Sequence, residues 1–274
     1  MEQHRHFVKT ENGVYQFDTD QNGFPTFTQK NIDFVTAMIG YDSNYSASIN
    51  ENDPQHNDTY VTIFKQFDFS TLQRLEAAIE SIDKINSTHL SSEGKRTGSD
   101  GTGKRNGGRA ITAACIRKIG GDNLRQRLKE GDATLVHEIA SAVEKRYNFS
   151  FASKFCAYAS HHALALHNYC IYDRVLQSIL PYYYFIYVDG DGYKALYRTK
   201  RNATNESIIG ELCQDREITD GYTKYRQIVD DIICGIKEKC GIEVNYEDFD
   251  HLVWYYFKGS NMKVLKAMNV LPKK

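Results

Sequence analysis

The 274-residue sequence has almost no net charge, only four prolines, a single tryptophan and no paired-cysteine motif. With 34 Lys and Arg against 35 Asp and Glu, it is not a protein that coats nucleic acid through bulk positive charge, although a neutral sum leaves room for a local basic face. The longest unbroken apolar and aromatic run, Tyr182 to Val188, has seven residues, far short of a membrane span. The opening residues lead into polar sequence with no apolar segment, so no secretory signal is read there and a cytoplasmic protein with no membrane partner is expected. The six cysteines include no Cys-x-x-Cys pair, and buried reduced thiols are the default without export. No two Cys or His pairs have the spacing of zinc ligands. His161 and His162 are adjacent, and neighbours on a helix diverge by about 100°, so no metal site is expected.

What the sequence does contain is an ordinary globular composition, 41% hydrophobic and 25% charged, with 19 Tyr and 14 Phe. A chain of this length buries roughly three-quarters of its unfolded surface, enough for a full core or two lobes. Its charge is segregated. Residues 1–68 carry four basic and ten acidic side chains, net −6, whereas residues 91–130 carry ten basic and four acidic, net +6. The stretch from Lys258 to Lys274 adds five lysines and no acid. Such segregation suits a polyanion partner, and equally a solvated face. Residues 91–109 hold six glycines and no large apolar side chain, so nothing there offsets ordering entropy and a mobile basic loop is predicted. This loop divides the chain into an N-terminal part, 1–90, and a longer part, 110–274. Gly98 to Lys104 fits the loose G-x-x-x-x-G-K phosphate-loop pattern. The next residue is Arg105 in place of a Mg²⁺-binding hydroxyl, and no apolar strand precedes the motif, so nucleotide binding is rejected.

Helical patterns dominate elsewhere, and the predicted class is mainly α with a less regular N-terminal part. Ser70 to Gln73 reads as a capping box, with Leu72, Leu75, Ile79 and Ile82 at helical spacing. Asp132 caps a helix bearing Leu135, Ile139 and Val143. A third helix is predicted over 151–165, a shorter one over 173–180 closed by Pro181, a long one through Tyr222, Tyr225, Val229, Ile232 and Ile236, and an aromatic one over 249–258. Residues 61–64 and 182–188 are possible strands.

The chemistry centres on two residues. Lys154 stands near the start of an apolar, small-residue helix, where partial burial and the positive end of the helix dipole would both lower its pKa. A lysine so placed can be neutral often enough to act as a nucleophile. Asp173 opens the next helix nineteen residues later as an N-cap, a position that keeps a carboxylate ionised. The same placements also suit a lysine that snorkels to solvent and an aspartate that only caps.

Around these residues the sequence resembles the helix-hairpin-helix DNA glycosylase superfamily, especially its lysine-bearing 8-oxoguanine DNA glycosylase branch. Ser153-Lys154 matches the family's nucleophile position, and Ile171-Tyr172-Asp173-Arg174-Val175-Leu176 looks like its aspartate segment. The helix from Asp132 to Tyr147 would be the first of the pair. Phe249 to Gly259, containing Trp254, resembles the aromatic end segment of a bacterial group of such proteins. The likeness covers roughly residues 110–180 plus this terminal patch. One departure is clear: the family hairpin carries Gly-φ-Gly, and here Tyr147 to Ala152 contain no glycine. Asn148 in a left-handed conformation and Ser150 as a phosphate donor would stand in.

The resemblance implies a glycosylase-like helical bundle whose partner is double-stranded DNA carrying a damaged or modified base. The nucleotide would be extruded from the stack, with Lys154 attacking C1′ through an imine and Asp173 stabilising positive charge on the sugar. Trp254 would line the base pocket. Asn148, Ser150, Ser153 and Arg174, with Lys104 and Arg105 of the basic loop, would contact DNA. Imine chemistry needs no cofactor. The competing reading is a non-catalytic helical module of the same architecture that binds DNA or a protein.

Overall fold

The computed structural model describes residues 9–10, 13–14, 16–38, 56–85, 88–90, 107–258 and 260–274. The protein is mainly helical. In chain order it has β1 (Lys9–Thr10), β2 (Gly13–Val14), α1 (29–38), α2 (His56–Lys65), α3 (Leu75–Ile85), α4 (Gly107–Ile119), α5 (Gly121–Glu130), α6 (Ala133–Ala140) and α7 (Phe149–Tyr158). A π-helical turn (Ala159–Ala163) leads to α8 (Arg174–Tyr187), β3 (Tyr197–Thr199), β4 (Asn205–Ser207), α9 (Ile209–Cys213), α10 (Gly221–Cys240), α11 (Tyr246–Phe257) and α12 (Asn261–Met268). The strands form two separate antiparallel pairs, β1 with β2 and β3 with β4.

The chain forms two compact units. The first comprises Met1–Gly40, Arg174–Ile208 and Asp230–Lys274, the second Tyr41–Asp173 and Ile209–Val229. Each unit is thus assembled from separate stretches of the chain. Gly107, Gly108 and Arg109 form the first turn of α4, and the remainder of the loop predicted at 91–109, with Lys104 and Arg105, lies outside the described residues.

Aromatic side chains explain the first unit. Phe27 stacks on Phe249 with ring centroids 5.3 Å apart and meets Tyr183 and Tyr187 edge-on, so residues 16–38 pack on α8 and α11. Helix α8 corrects two expectations. Pro181 does not close it, and residues 182–187 are helical, not extended. Proline removes the N–H that would bond to the carbonyl four residues back. Here that carbonyl, Gln177 O, accepts from Ser207 Oγ on β4 at 2.5 Å, so the helix passes through the proline without an orphaned acceptor.

The second unit buries Phe64, Leu75, Ile79, Ile82, Ile116, Leu124, Leu128, Leu135 and Ile139. Residues 61–64 belong to α2, not to a strand. The predicted capping box at Ser70 does not form, because the hydroxyls of Ser70 and Thr71 donate to the Asp68 carboxylate at 2.7 Å each. Leu72 and Arg74 turn through positive φ, and α3 begins at Leu75. Asp132 does cap α6, accepting from the Thr134 N–H at 2.8 Å. The close approach of α5 to the chain before α3 requires glycine: a Cβ on Gly121 would stand 1.5 Å from the Phe69 carbonyl oxygen.

Candidate active site

The site is built on the α6–turn–α7 segment of the second unit. Helix α6 ends at Ala140, earlier than its apolar pattern suggests, and residues 141–147 turn the chain into α7. Val143 keeps its buried position from within the turn. Three carbonyls of this turn converge on one cation. The Arg216 guanidinium donates to the oxygens of Val143, Glu144 and Arg146, the last at 3.0 Å. Arg216 therefore organises a turn that lacks glycine, from a position about seventy residues away in sequence. Burial holds the nearby Tyr147 phenol up at about 12, protonated at neutral pH. Its oxygen lies 3.1 Å from His137 Nδ1.

Helix α7 is apolar on every side, with Phe149, Phe151, Ala152, Phe155 and Cys156 buried, which is how a core helix reads. Lys154 sits in its second turn and is only 6% exposed. Helical side chains lean toward the N-terminus, so the ammonium reaches back one turn and donates to Ser150 Oγ at 2.8 Å. The first turn of α7 thus receives the charge, although the lysine belongs to the second.

The preceding residue makes the decisive connection. Ser153 is fully buried, and its Oγ accepts the backbone N–H of Tyr172 at 3.0 Å. The rest of that segment is equally fixed. Tyr222 donates to the Cys170 carbonyl at 2.9 Å, and Tyr225 donates to the Ile171 carbonyl at 2.8 Å. The Tyr172 ring packs edge-on against Phe149 at 4.8 Å and against Tyr225 at 5.0 Å. Three consecutive residues are pinned, and Asp173, half-buried, follows directly and precedes the first residue of α8. Burial pushes the Tyr172 phenol and the Cys156 thiol well above their usual ranges, so neither supplies charge at neutral pH.

Several expected contacts change. Ser153 is committed to the Tyr172 backbone and is inaccessible, so it positions residues and does not touch DNA. Asn148 occupies the N-cap of α7 with φ −92°, not the left-handed conformation. It is buried, and neither its amide oxygen nor its nitrogen has a hydrogen-bond partner among the described residues. Arg174 opens α8 in the first unit and is exposed. Trp254 also belongs to the first unit, where the Lys258 ammonium lies 3.5 Å from its ring centroid.

The basic segment is less available to a polyanion than its sequence suggests. Arg109 pairs with Asp83 at 2.8 Å and Glu80 at 3.1 Å, Arg117 pairs with Glu76, and Arg127 bridges Asp132 at 2.6 Å and Glu138 at 2.5 Å. Burial raises the Asp132 pKa, but hydrogen bonds from Thr134 and Arg127 outweigh it and hold the carboxyl below its ordinary value. Lys118, Arg125 and Lys129 stay exposed. Two lysines near the end of the chain have local partners: Lys274 donates to the Tyr197 carbonyl at 2.7 Å, and Lys263 stands 3.9 Å over the Tyr256 ring.

Sequence reasoning missed Arg216, Tyr222 and Tyr225. The two tyrosines stood on an apolar stripe at i, i+3 spacing, which signalled burial but not their hydroxyl contacts. Among the described residues, no helix is long and apolar enough to cross a membrane.

No curated protein and no solved structure matches the chain. Residues 41–163 are similar to a family model described as HI_0787_N, N-terminal domain, a stretch that lies within the second unit and holds Lys154 but ends before Asp173.

Proposed function

We propose that the protein is a DNA glycosylase with associated lyase activity, built on a helix-hairpin-helix arrangement of α6, the turn 141–147 and α7. The observation that carries this reading is the pairing of a buried helical lysine with a pinned aspartate segment, joined by the Ser153–Tyr172 hydrogen bond. A buried amine loses its proton more readily than an exposed one, and a neutral amine is what nucleophilic attack requires. Duplex DNA would dock at the turn and the N-terminus of α7, where backbone N–H groups of the first helical turn would face a phosphate. The damaged nucleotide would be extruded toward α7.

In the chemical step, the Lys154 nitrogen forms a bond to deoxyribose C1′ while the C1′–base bond breaks, and the electron pair leaves with the base, which takes up a proton. The sugar ring opens to an imine between Lys154 and C1′. Loss of a C2′ proton then expels the 3′ phosphate by β-elimination, and water hydrolyses the imine to regenerate the amine. Asp173 offsets the positive charge that develops on the sugar and serves the proton transfers. Borohydride reduction in the presence of lesion-bearing duplexes tests the reading, because reduction of the imine leaves a permanent protein–DNA link. An adduct that disappears in Lys154→Ala supports catalysis. The absence of an adduct across a panel of lesions favours a non-catalytic binding module.

A further inference from the structure

A separate cluster lies in the connection that follows α7, within the second unit. The helix ends in a π turn, Ala159–Ala163, a geometry that is rare and usually confined to single turns. Ser160 clasps the loop beyond it twice. Its Oγ donates to the Leu166 carbonyl at 3.0 Å, and its own carbonyl accepts the Leu166 N–H at 3.0 Å. Inside the clasp the Ala165 N–H donates to the His161 carbonyl at 2.8 Å, with Ala165 at φ 56°.

His161 follows Ser160, and His167 follows Leu166, so the clasp sets the two imidazoles side by side. Their ring centroids are 4.4 Å apart, and the His162 ring lies 4.4 Å from that of His161. A ligand nitrogen of His161 comes within 4.8 Å of one of His167. Two imidazoles on a tetrahedral zinc ion, each bonded at about 2.0–2.1 Å, hold their nitrogens about 3.3 Å apart. Binding an ion therefore draws the two nitrogens together by up to about 1.5 Å. His167 is exposed and His161 half-buried, which gives an ion and its water ligands access from solvent. Neutral imidazole is the commonest protein ligand for ions of this kind.

We propose that His161 and His167 form a binding site for a divalent zinc-class ion, with water completing its coordination and His162 as the adjacent imidazole. The site is independent of the imine chemistry proposed for Lys154. It lies in the segment that connects α7 to Asp173, so a bound ion would tie down residues 161–167.

The test is titration of Zn²⁺ alone into metal-free full-length protein while following isotope-labelled imidazole resonances and the melting temperature. One equivalent is expected to shift the ring nitrogens of His161 and His167 and to raise the melting temperature by mass action. Both effects should be lost in His161→Ala and in His167→Gln, the second chosen because an exposed residue is replaced without disturbing the core. Lys154→Ala should bind zinc like the wild type. The proposal is overturned by zinc that leaves both imidazoles unmoved, by uptake that persists unchanged in the two histidine variants, or by no uptake at all.

Discussion

The Oγ of Ser153 accepts the backbone N–H of Tyr172 at 3.0 Å across nineteen residues of chain. It joins the residue before Lys154 to the residue before Asp173 within the second unit, through one buried hydroxyl. An aspartate before a helix and a buried helical lysine are each common. Their predecessors held together by a hydrogen bond constrain where both functional groups stand.

Ser153→Ala removes that acceptor and leaves the Tyr172 N–H buried and unpaired. An unsatisfied buried donor costs about 1–3 kcal/mol, so urea unfolding should show a loss of that size. If Asp173 acts as proposed, single-turnover excision should also slow, because a misplacement of about 1 Å can cost on the order of 10²-fold. Unchanged stability would mean that the bond is not formed in solution.

Arg216→Ala would strip the cation from the carbonyls of Val143, Glu144 and Arg146. Hydrogen bonds to a charged group contribute about 1.5–3 kcal/mol, and a destabilisation in that range is expected. Faster amide exchange across residues 141–148 should accompany it. Arg216→Lys keeps the charge without the planar fork and should fall between the variant and the wild type.

Lys263 gives a pH dependence of definite sign. Burial beside Tyr256 pushes its pKa down from 10.5 to about 8. Between those values the unfolded chain holds more protons on this residue than the folded one, so its contribution to stability rises with pH. Below about pH 8 the penalty is constant and at its largest. Lys263→Met should therefore melt above the wild type at neutral pH, and the gap should narrow as pH rises toward 10.5. A gap that stays constant across that window would contradict the shift.

The helices were legible in the sequence where their burial follows the 3.6-residue period. The stripe Tyr222, Tyr225, Val229, Ile232 and Ile236 is buried throughout on α10, and the Asp132 cap is where its spacing puts it. Elements decided by distant partners were not legible. Pro181 reads as a stop because the Ser207 hydroxyl that satisfies the exposed carbonyl comes thirty residues later. Ser70 reads as a cap, but Asp68 takes its hydroxyl. Lys154 and Asp173 stood out through the family resemblance of their flanking residues, since their spacing alone equally suits a snorkelling lysine and a capping aspartate. Arg216 did not, since nothing local marks an arginine that will seat itself on three remote carbonyls.

Lys154 is the proposed nucleophile of an imine reaction on DNA, and borohydride trapping measures this most directly. Wild-type protein, incubated with duplexes bearing oxidised, alkylated or abasic positions and then reduced, should yield a covalent adduct on at least one of them. Lys154→Ala should yield none while still binding that duplex, and Asp173→Asn should form the adduct more slowly. An adduct that persists in Lys154→Ala would place the nucleophile on another residue and contradict the assignment.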